Sequence, residues 1–188
     1  MYETFFKRIL DVAVSSLAIA VLSPILLLTA LAVRLGDAGP ALFRQTRTGR
    51  SGRPFRVFKF RSMPVQSADL PSAGAAGLKV TAVGKVIRRT NIDELPQLFN
   101  IFCGEMSLVG PRPPLPAQAD LIRMRRENKA LECRPGLTGL AQVNSYDGMP
   151  EAEKARWDGQ YASHITFIGD LRLIVRTLGY LVRRPPVY

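Results

Sequence analysis

Apolar positions crowd into one stretch near the start of this chain. From Val12 to Val33 there is no charged residue, and most positions are Leu, Ile, Val or Ala. About 20 such residues cross a bilayer as a helix. The run is interrupted at its middle by Ser23-Pro24, within VLSPILLL. Proline lacks an N–H and its ring presses on the carbonyl of Ala20, so a helix bends there. A serine can bond back to the freed carbonyl, which makes a break tolerable in lipid. Two arrangements follow: a kinked spanning helix, or a re-entrant helix that turns at Ser23-Pro24 and leaves by the face it entered. Both flanks are basic, with Lys7 and Arg8 before the run and Arg34, Arg44, Arg47 and Arg50 after it. Positive flanks favour the cytoplasm, and only the re-entrant form keeps both there. A cleaved signal peptide fits poorly, because the run is too long for an h-region and no small-x-small cleavage site follows.

Beyond Arg34 the pattern changes. Residues 40–63 read as two short strands around a Gly/Arg-rich turn, a small β-hairpin. Phe55, Val57 and Lys59 share one face by alternation, so Lys59 either snorkels or holds an anion. Residues 64–77, rich in Pro, Ala, Gly and Ser, read as a mobile loop or lid. Val80–Arg88 forms a short helix. Asp93-Glu94 opens a second, Leu95–Phe102, with Pro96 in its permitted first turn. GPRPP at 110–114 is a rigid turn that fixes Arg112. RPGLTGLAQV at 134–143 is glycine-rich and too short for a dinucleotide-binding fingerprint. Residues 150–165 form a polar, amphipathic helix. In 170–184, Leu171, Ile174, Val175, Leu178 and Leu181 recur at helical spacing, with Arg172, Arg176 and Arg183 on another face. That pattern suits a docking helix or one lying in a membrane interface. The fold class is α+β, mostly α.

Charge narrows the choice of partner. The net charge of +11 and pI near 10.4 point to nucleic acid, an anionic membrane or a phosphorylated substrate. The two cysteines, Cys103 and Cys133, have no metal-like spacing and argue against a disulfide framework. His164 is the one histidine, which argues against zinc sites and Ser-His-Asp triads. Acid–base chemistry then rests on carboxylates, lysine or arginine-assisted phosphate chemistry.

Asp93-Glu94 has two readings. One is a helix cap, favoured by the dipole and the free N–H groups. The other is a nucleophile beside a base: a carboxylate can attack phosphorus, and a helix terminus would keep Asp93 ionised. Phosphoryl chemistry needs cations around the transferring group, and Lys59, Arg88, Arg89, Arg112 and Arg134 are candidates. Arg112, between two prolines, suits bidentate phosphate binding. A divalent metal, Mg²⁺ above all, would bind through one or two carboxylates plus substrate phosphates.

In order along nearly the whole chain, FFKRILD, the Ser-Pro break, VFKFRSM, IRRTNIDELPQLFNIFCGEMSLVGPRP and RPGLTGLAQVN resemble the small monotopic phosphoglycosyl transferases of the bacterial sugar transferase superfamily. The resemblance implies a re-entrant membrane helix over 1–36, broken at Ser23-Pro24, and a catalytic domain over 37–188 with amphipathic interfacial helices. It implies transfer of a phospho-sugar from a UDP-sugar to polyprenol (undecaprenyl) phosphate, with release of UMP, at the cytoplasmic face of the bacterial inner membrane. Asp93 would be the nucleophile of a ping-pong route through a covalent intermediate. Glu94 would assist the polyprenol phosphate, and Mg²⁺ would sit at Asp93 and the diphosphate. Lys59, Arg88 and Arg112 fall on basic active-site positions, and Arg134 on the nucleotide or phosphate region. The membrane contact would be with one leaflet, no nucleic acid would be bound, and glycosyltransferases that extend the product are possible partners. Two rivals are a membrane-anchored nucleic-acid-binding protein and a non-catalytic scaffold. The first leaves Asp93-Glu94 and the GPRPP turn without a role, and its basic residues follow no nucleic-acid-binding pattern. The second predicts that Asp93→Asn is harmless.

Overall fold

A computed structural model describes residues 2–64, 80–146 and 148–182. The loop expected at 64–77 lies, Pro64 apart, outside the described residues, as does Arg183. After a π-helical turn at Tyr2–Phe6 comes α1, Lys7–Gly36, followed by strands β1, Leu42–Thr48, and β2, Pro54–Phe60. Helices α2, Ala82–Arg89, and α3, Gln97–Cys103, lead to strand β3, Ser107–Val109. Helix α4, Ala119–Glu127, precedes strand β4, Gly136–Thr138, and the short α5, Leu140–Val143. Helices α6, Glu151–Ser163, and α7, Phe167–Val182, end the described chain. The mostly helical α+β class and the hairpin agree with the sequence.

Helix α1 is continuous through Ser23-Pro24 rather than broken there. The local chemistry explains how the proline is accommodated. Ser23 Oγ donates to the Ala20 carbonyl at 2.8 Å, the oxygen that Pro24 leaves without an amide partner. One face of α1 is a wall of the core along its length. Arg8 donates to the Ile101 and Phe102 carbonyls at 2.6 and 2.8 Å, capping the C-terminus of α3. Asp11, buried, accepts from Ser107 Oγ and the Leu108 amide. Ala18, Ile19 and Leu22 pack on Val57, Leu98, Ile101 and Met106. Leu26 and Val33 pack with Phe60 and Ile87, and Arg61 closes the far end on Asp37. The opposite face exposes Leu17, Val21, Leu27, Leu28, Leu31 and Leu35.

Strands β1 and β2 are antiparallel, pairing Arg47 with Phe55, Gln45 with Val57 and Phe43 with Lys59. Thr81 caps α2 by accepting from the Gly84 amide. The sequence reading did not anticipate the parallel pair β3–β4, with Ser107 opposite Gly136 and Val109 opposite Thr138. A Cβ at Gly136 would stand 2.1 Å from the Gly110 nitrogen, so this close backbone approach requires glycine.

Helix α7 docks through Leu173, which packs with Val109 and Tyr161. Of the apolar stripe expected to dock, Ile174 joins that cluster, whereas Leu171, Val175 and Leu178 are exposed. The docking face is rotated because Asp170 and Thr177 find buried partners there: Asp170 takes Lys7 Nζ at 2.5 Å and the hydroxyls of Tyr2 and Tyr161, and Thr177 meets Thr138.

Candidate active site

Asp93 and Glu94 do not open α3. They occupy a 3₁₀ turn, Ile92–Glu94, entered through Asn91 in the left-handed region at φ 54°. Pro96 has no amide to give, so the helical ladder restarts at Gln97 with Pro96 as its N-cap. The tighter turn, not the terminus of α3, aims both carboxylates.

Three elements converge on them. From β2, Lys59 Nζ reaches Glu94 Oε1 at 2.7 Å. From the GPRPP turn, Arg112 Nη2 reaches the same oxygen at 3.0 Å. From α2, Arg88 donates to Ser62 Oγ at 2.8 Å and lies close enough to Asp93 for its charge to act there. Lys59 therefore holds an anion rather than snorkelling. Burial alone would raise the Glu94 pKa, but Arg112 and Lys59 outweigh it and bring it to about 2. Asp93 moves the other way. Burial, reinforced by the Glu94 charge, pushes it above the usual carboxylate range, and Lys59 and Arg88 recover only part of the shift. Asp93 thus lies outside the terminus of α3, and desolvation is the largest influence on its pKa.

Arg134 does not join this group. It donates to the Gly104 carbonyl at 3.1 Å, and the charges that act on it are Arg50, Arg8 and Asp11. The turn that carries it must reach β3, which draws Arg134 to the C-terminal end of α3. Ser23 and Pro24 lie in the middle of α1.

Two residues that sequence reasoning missed complete the site. Arg47 donates to Gln45 Oε1 and to the Pro113 carbonyl at 3.2 Å. Burial and the Arg112 charge bring its pKa down to about 10, against a smaller pull from Glu94. Its cross-strand pairing with Phe55 puts it on the hairpin face of Lys59, a placement legible once the register is known. Arg125, buried in α4, donates to the Arg112 carbonyl at 2.8 Å and grips Asp158 Oδ2 at 2.5 and 2.8 Å. The Thr48 amide, Arg47 and Arg125 thus anchor Pro114, Pro113 and Arg112 in turn.

Beside Arg112 opens a cleft of about 180 Å³, lined among others by Arg47, Gln118, Gln142, Ser145 and Lys154. No group of three or more His, Cys, Asp or Glu side chains lies together among the described residues. Mg²⁺ is ordinarily held by one or two carboxylates completed by substrate phosphates and water, and Asp93 fits that donor set.

Comparison with known proteins identifies the family of the chain. The family model described as bacterial sugar transferase matches residues 2–184. The chain is 41% identical to the UDP-glucose:undecaprenyl-phosphate glucose-1-phosphate transferase of Caulobacter vibrioides, over 97% of this chain and 72% of that protein. It is 38% identical to the Escherichia coli protein of the same description, over 92% of this chain but 39% of the relative. A UDP-N-acetylgalactosamine-undecaprenyl-phosphate N-acetylgalactosaminephosphotransferase from Aeromonas hydrophila is 38% identical, over 93% of this chain and 43% of that protein. The chain therefore spans less than half of two of these three relatives. With nearly its whole length matched, the chain belongs to the bacterial sugar transferase family.

Proposed function

We propose that this chain moves a phospho-sugar from a UDP-sugar to polyprenol phosphate at a membrane surface, in two displacements. The convergence of Lys59, Arg88 and Arg112 on a half-buried carboxylate pair carries the reading. An ionised Asp93 oxygen attacks the sugar-bearing phosphorus. A carboxyl–phosphate bond forms, the bond to the bridging oxygen breaks, and UMP leaves with that electron pair. A polyprenol phosphate oxygen then attacks the same phosphorus and returns Asp93 as a carboxylate. The charge spread over the phosphoryl oxygens faces Lys59, Arg88 and Arg112. Mg²⁺, held by Asp93 and the diphosphate, would supply further charge neutralisation there.

Glu94 is a weak base while Lys59 and Arg112 grip it. A diphosphate competes for both cations. As they turn to phosphate, the Glu94 pKa climbs toward its ordinary value, and the carboxylate can take the proton of the incoming lipid phosphate.

The pH dependence follows from Asp93. The attacking form is ionised and its pKa is raised, so kcat/KM for the UDP-sugar falls on the acid side at a pH above the ordinary carboxylate value. Arg88→Gln removes a charge that lowers this pKa, so the acid limb moves to higher pH. A pH–rate profile of the two proteins checks this, and an unmoved limb assigns it to another group.

In this reading α1 lies in one leaflet without crossing the bilayer, and both its ends stay on the same side. A 30-residue helix is on the order of 45 Å long when straight, more than the hydrocarbon thickness of a bilayer. Yet Lys7, Arg8 and Asp11 at one end and Val33 and Asp37 at the other bind the same body. Phe99 and Phe102 of α3, and Phe167, Ile168 and Leu171 of α7, are also exposed. A single leaflet that takes these side chains holds Asp93 near headgroup level. Cysteines introduced at Glu3 and Gly39 should both label from the cytoplasmic side, and opposite-side labelling would sink the topology.

The reaction is tested by UMP release from a panel of UDP-sugars with undecaprenyl phosphate and Mg²⁺. Turnover that needs the lipid and follows one donor supports the assignment and identifies the sugar. Absence of release from every donor counts against it.

A further inference from the structure

We propose that the cleft beside Arg112 is the subsite for the leaving nucleotide, with Arg47 facing its phosphate and Gln142 its base. This rests on the reaction proposed above. In an in-line displacement the attacking and leaving oxygens stand on opposite sides of phosphorus. With Asp93 on one side, UMP departs on the other. Arg112 joins the two regions, since its guanidinium bonds Glu94 and its side chain lines the cleft. The cleft therefore begins where the carboxylate pair ends.

Charge supports an anion at this junction. Lys59, Arg88, Arg112 and Arg47 face Asp93 and Glu94, an excess of two positive charges among these six groups. A nucleotide diphosphate diester carries two negative charges. Arg47 is held beside Arg112 despite their repulsion, with its guanidinium fixed by Gln45 and the Pro113 carbonyl. Two adjacent guanidiniums form a fork suited to phosphate oxygens.

Size supports part of the donor rather than all of it. At about 180 Å³ the cleft is smaller than the roughly 300–1,000 Å³ of sites that enclose a drug-sized ligand. It is a compartment for one portion of a UDP-sugar.

The polar lining distinguishes the base. Gln118 is engaged at both ends, donating to Glu151 and accepting from the Leu115 amide. Gln142 is the opposite case: its Nε2 and Oε1 are both buried and have no partner among the described residues. A carboxamide offers one donor and one acceptor edge. The imide edge of uracil offers the complementary acceptor and donor, so a pyrimidine in the cleft satisfies what the protein leaves unpaired.

The test is UMP binding to the full chain in detergent micelles, by calorimetry, in an Asp93→Asn background that cannot turn over. Arg47→Gln and Gln142→Ala are each expected to weaken UMP binding by about tenfold or more, with melting temperature unchanged. With Asp93 present, the same substitutions should raise KM for the UDP-sugar and leave KM for polyprenol phosphate unchanged. Unaltered UMP affinity in both folded variants overturns the subsite. Should either variant fail to fold, the Ser145→Cys thiol gives an independent reading: protection from maleimide by UMP is expected, and absence of protection overturns the proposal. Wild-type UMP release with unaltered variants removes the subsite alone. UMP bound here without release from any UDP-sugar removes the reaction alone.

Discussion

Asp93→Asn is expected to reduce UMP release by on the order of 10³-fold or more, with the fold intact. The amide matches the carboxylate in shape but is a far poorer nucleophile toward phosphorus. Asp93 is half-buried, and its charge opposes that of Glu94, so neutralising it relieves repulsion and does not endanger stability. Asp93→Glu retains the charge but moves the attacking oxygen by about one methylene. A displacement of that order costs on the order of 10²-fold where geometry controls the rate. Intact-mass measurement with UDP-sugar and no lipid should show a phospho-sugar adduct on the wild type and none on Asp93→Asn. Glu94→Gln should still form the adduct and transfer it slowly, because the Glu94 role falls in the second displacement. Full turnover by Asp93→Asn would dismiss the covalent route and favour a scaffold role.

Arg125→Met is expected to be the most destabilising single change at the site. Its guanidinium and the Asp158 carboxylate are almost wholly removed from solvent, with side chains 4% and 1% exposed. Taking one partner away strands the other as a buried charge, at a cost of about 3–5 kcal/mol. Burial already pushes Asp158 up to about 6 against the pull of Arg125, so without the arginine it must take up a proton. For a chain of this size the loss corresponds to a fall in Tm on the order of 10 °C. The double variant Arg125→Met/Asp158→Leu separates two roles. Removing both charges should restore most of the Tm, since apolar replacement of a buried pair is often neutral or better. It should not restore activity, because the Arg112 carbonyl still lacks the donor that holds its turn. Thermal melts and UMP release on the wild type and the two variants check this, and recovery of both properties would deny Arg125 a positioning role.

Local patterns carried much of this structure. The hairpin, α2 and the helix at 150–165 were legible from local pattern, as with Thr81 at the start of α2, whereas the helix at 170–184 was legible as a helix but not in the face it docks. Lys59 and Arg112 were legible as candidates because one aligns with apolar neighbours and the other sits between prolines. What escaped depended on long-range pairing. The β3–β4 pair joins two three-residue strands with no periodic signal. Arg47 reaches the site through hairpin register, and Arg125 through a partner 33 positions away. The raised Asp93 pKa was hidden because desolvation is a property of the assembled site. Arg134 was a candidate as a cation at the start of RPGLTGLAQV, but the β3–β4 pairing, invisible in the sequence, directs it to the Gly104 carbonyl.

Helix α1 is more than a tether. A tether can be cut away to leave a working body, but α1 supplies one wall for Val57, Leu98, Ile101 and Met106. It also supplies the donors for the last carbonyls of α3 and the acceptor for Ser107 and Leu108. The rest of the chain cannot complete its core until α1 is in place, and α1 turns its other, apolar face outward. Under the proposed membrane placement, folding of the body and burial of that outward face in lipid are coupled. Headgroup composition and acyl-chain order, acting on the outward face, would then affect the stability of the inward one.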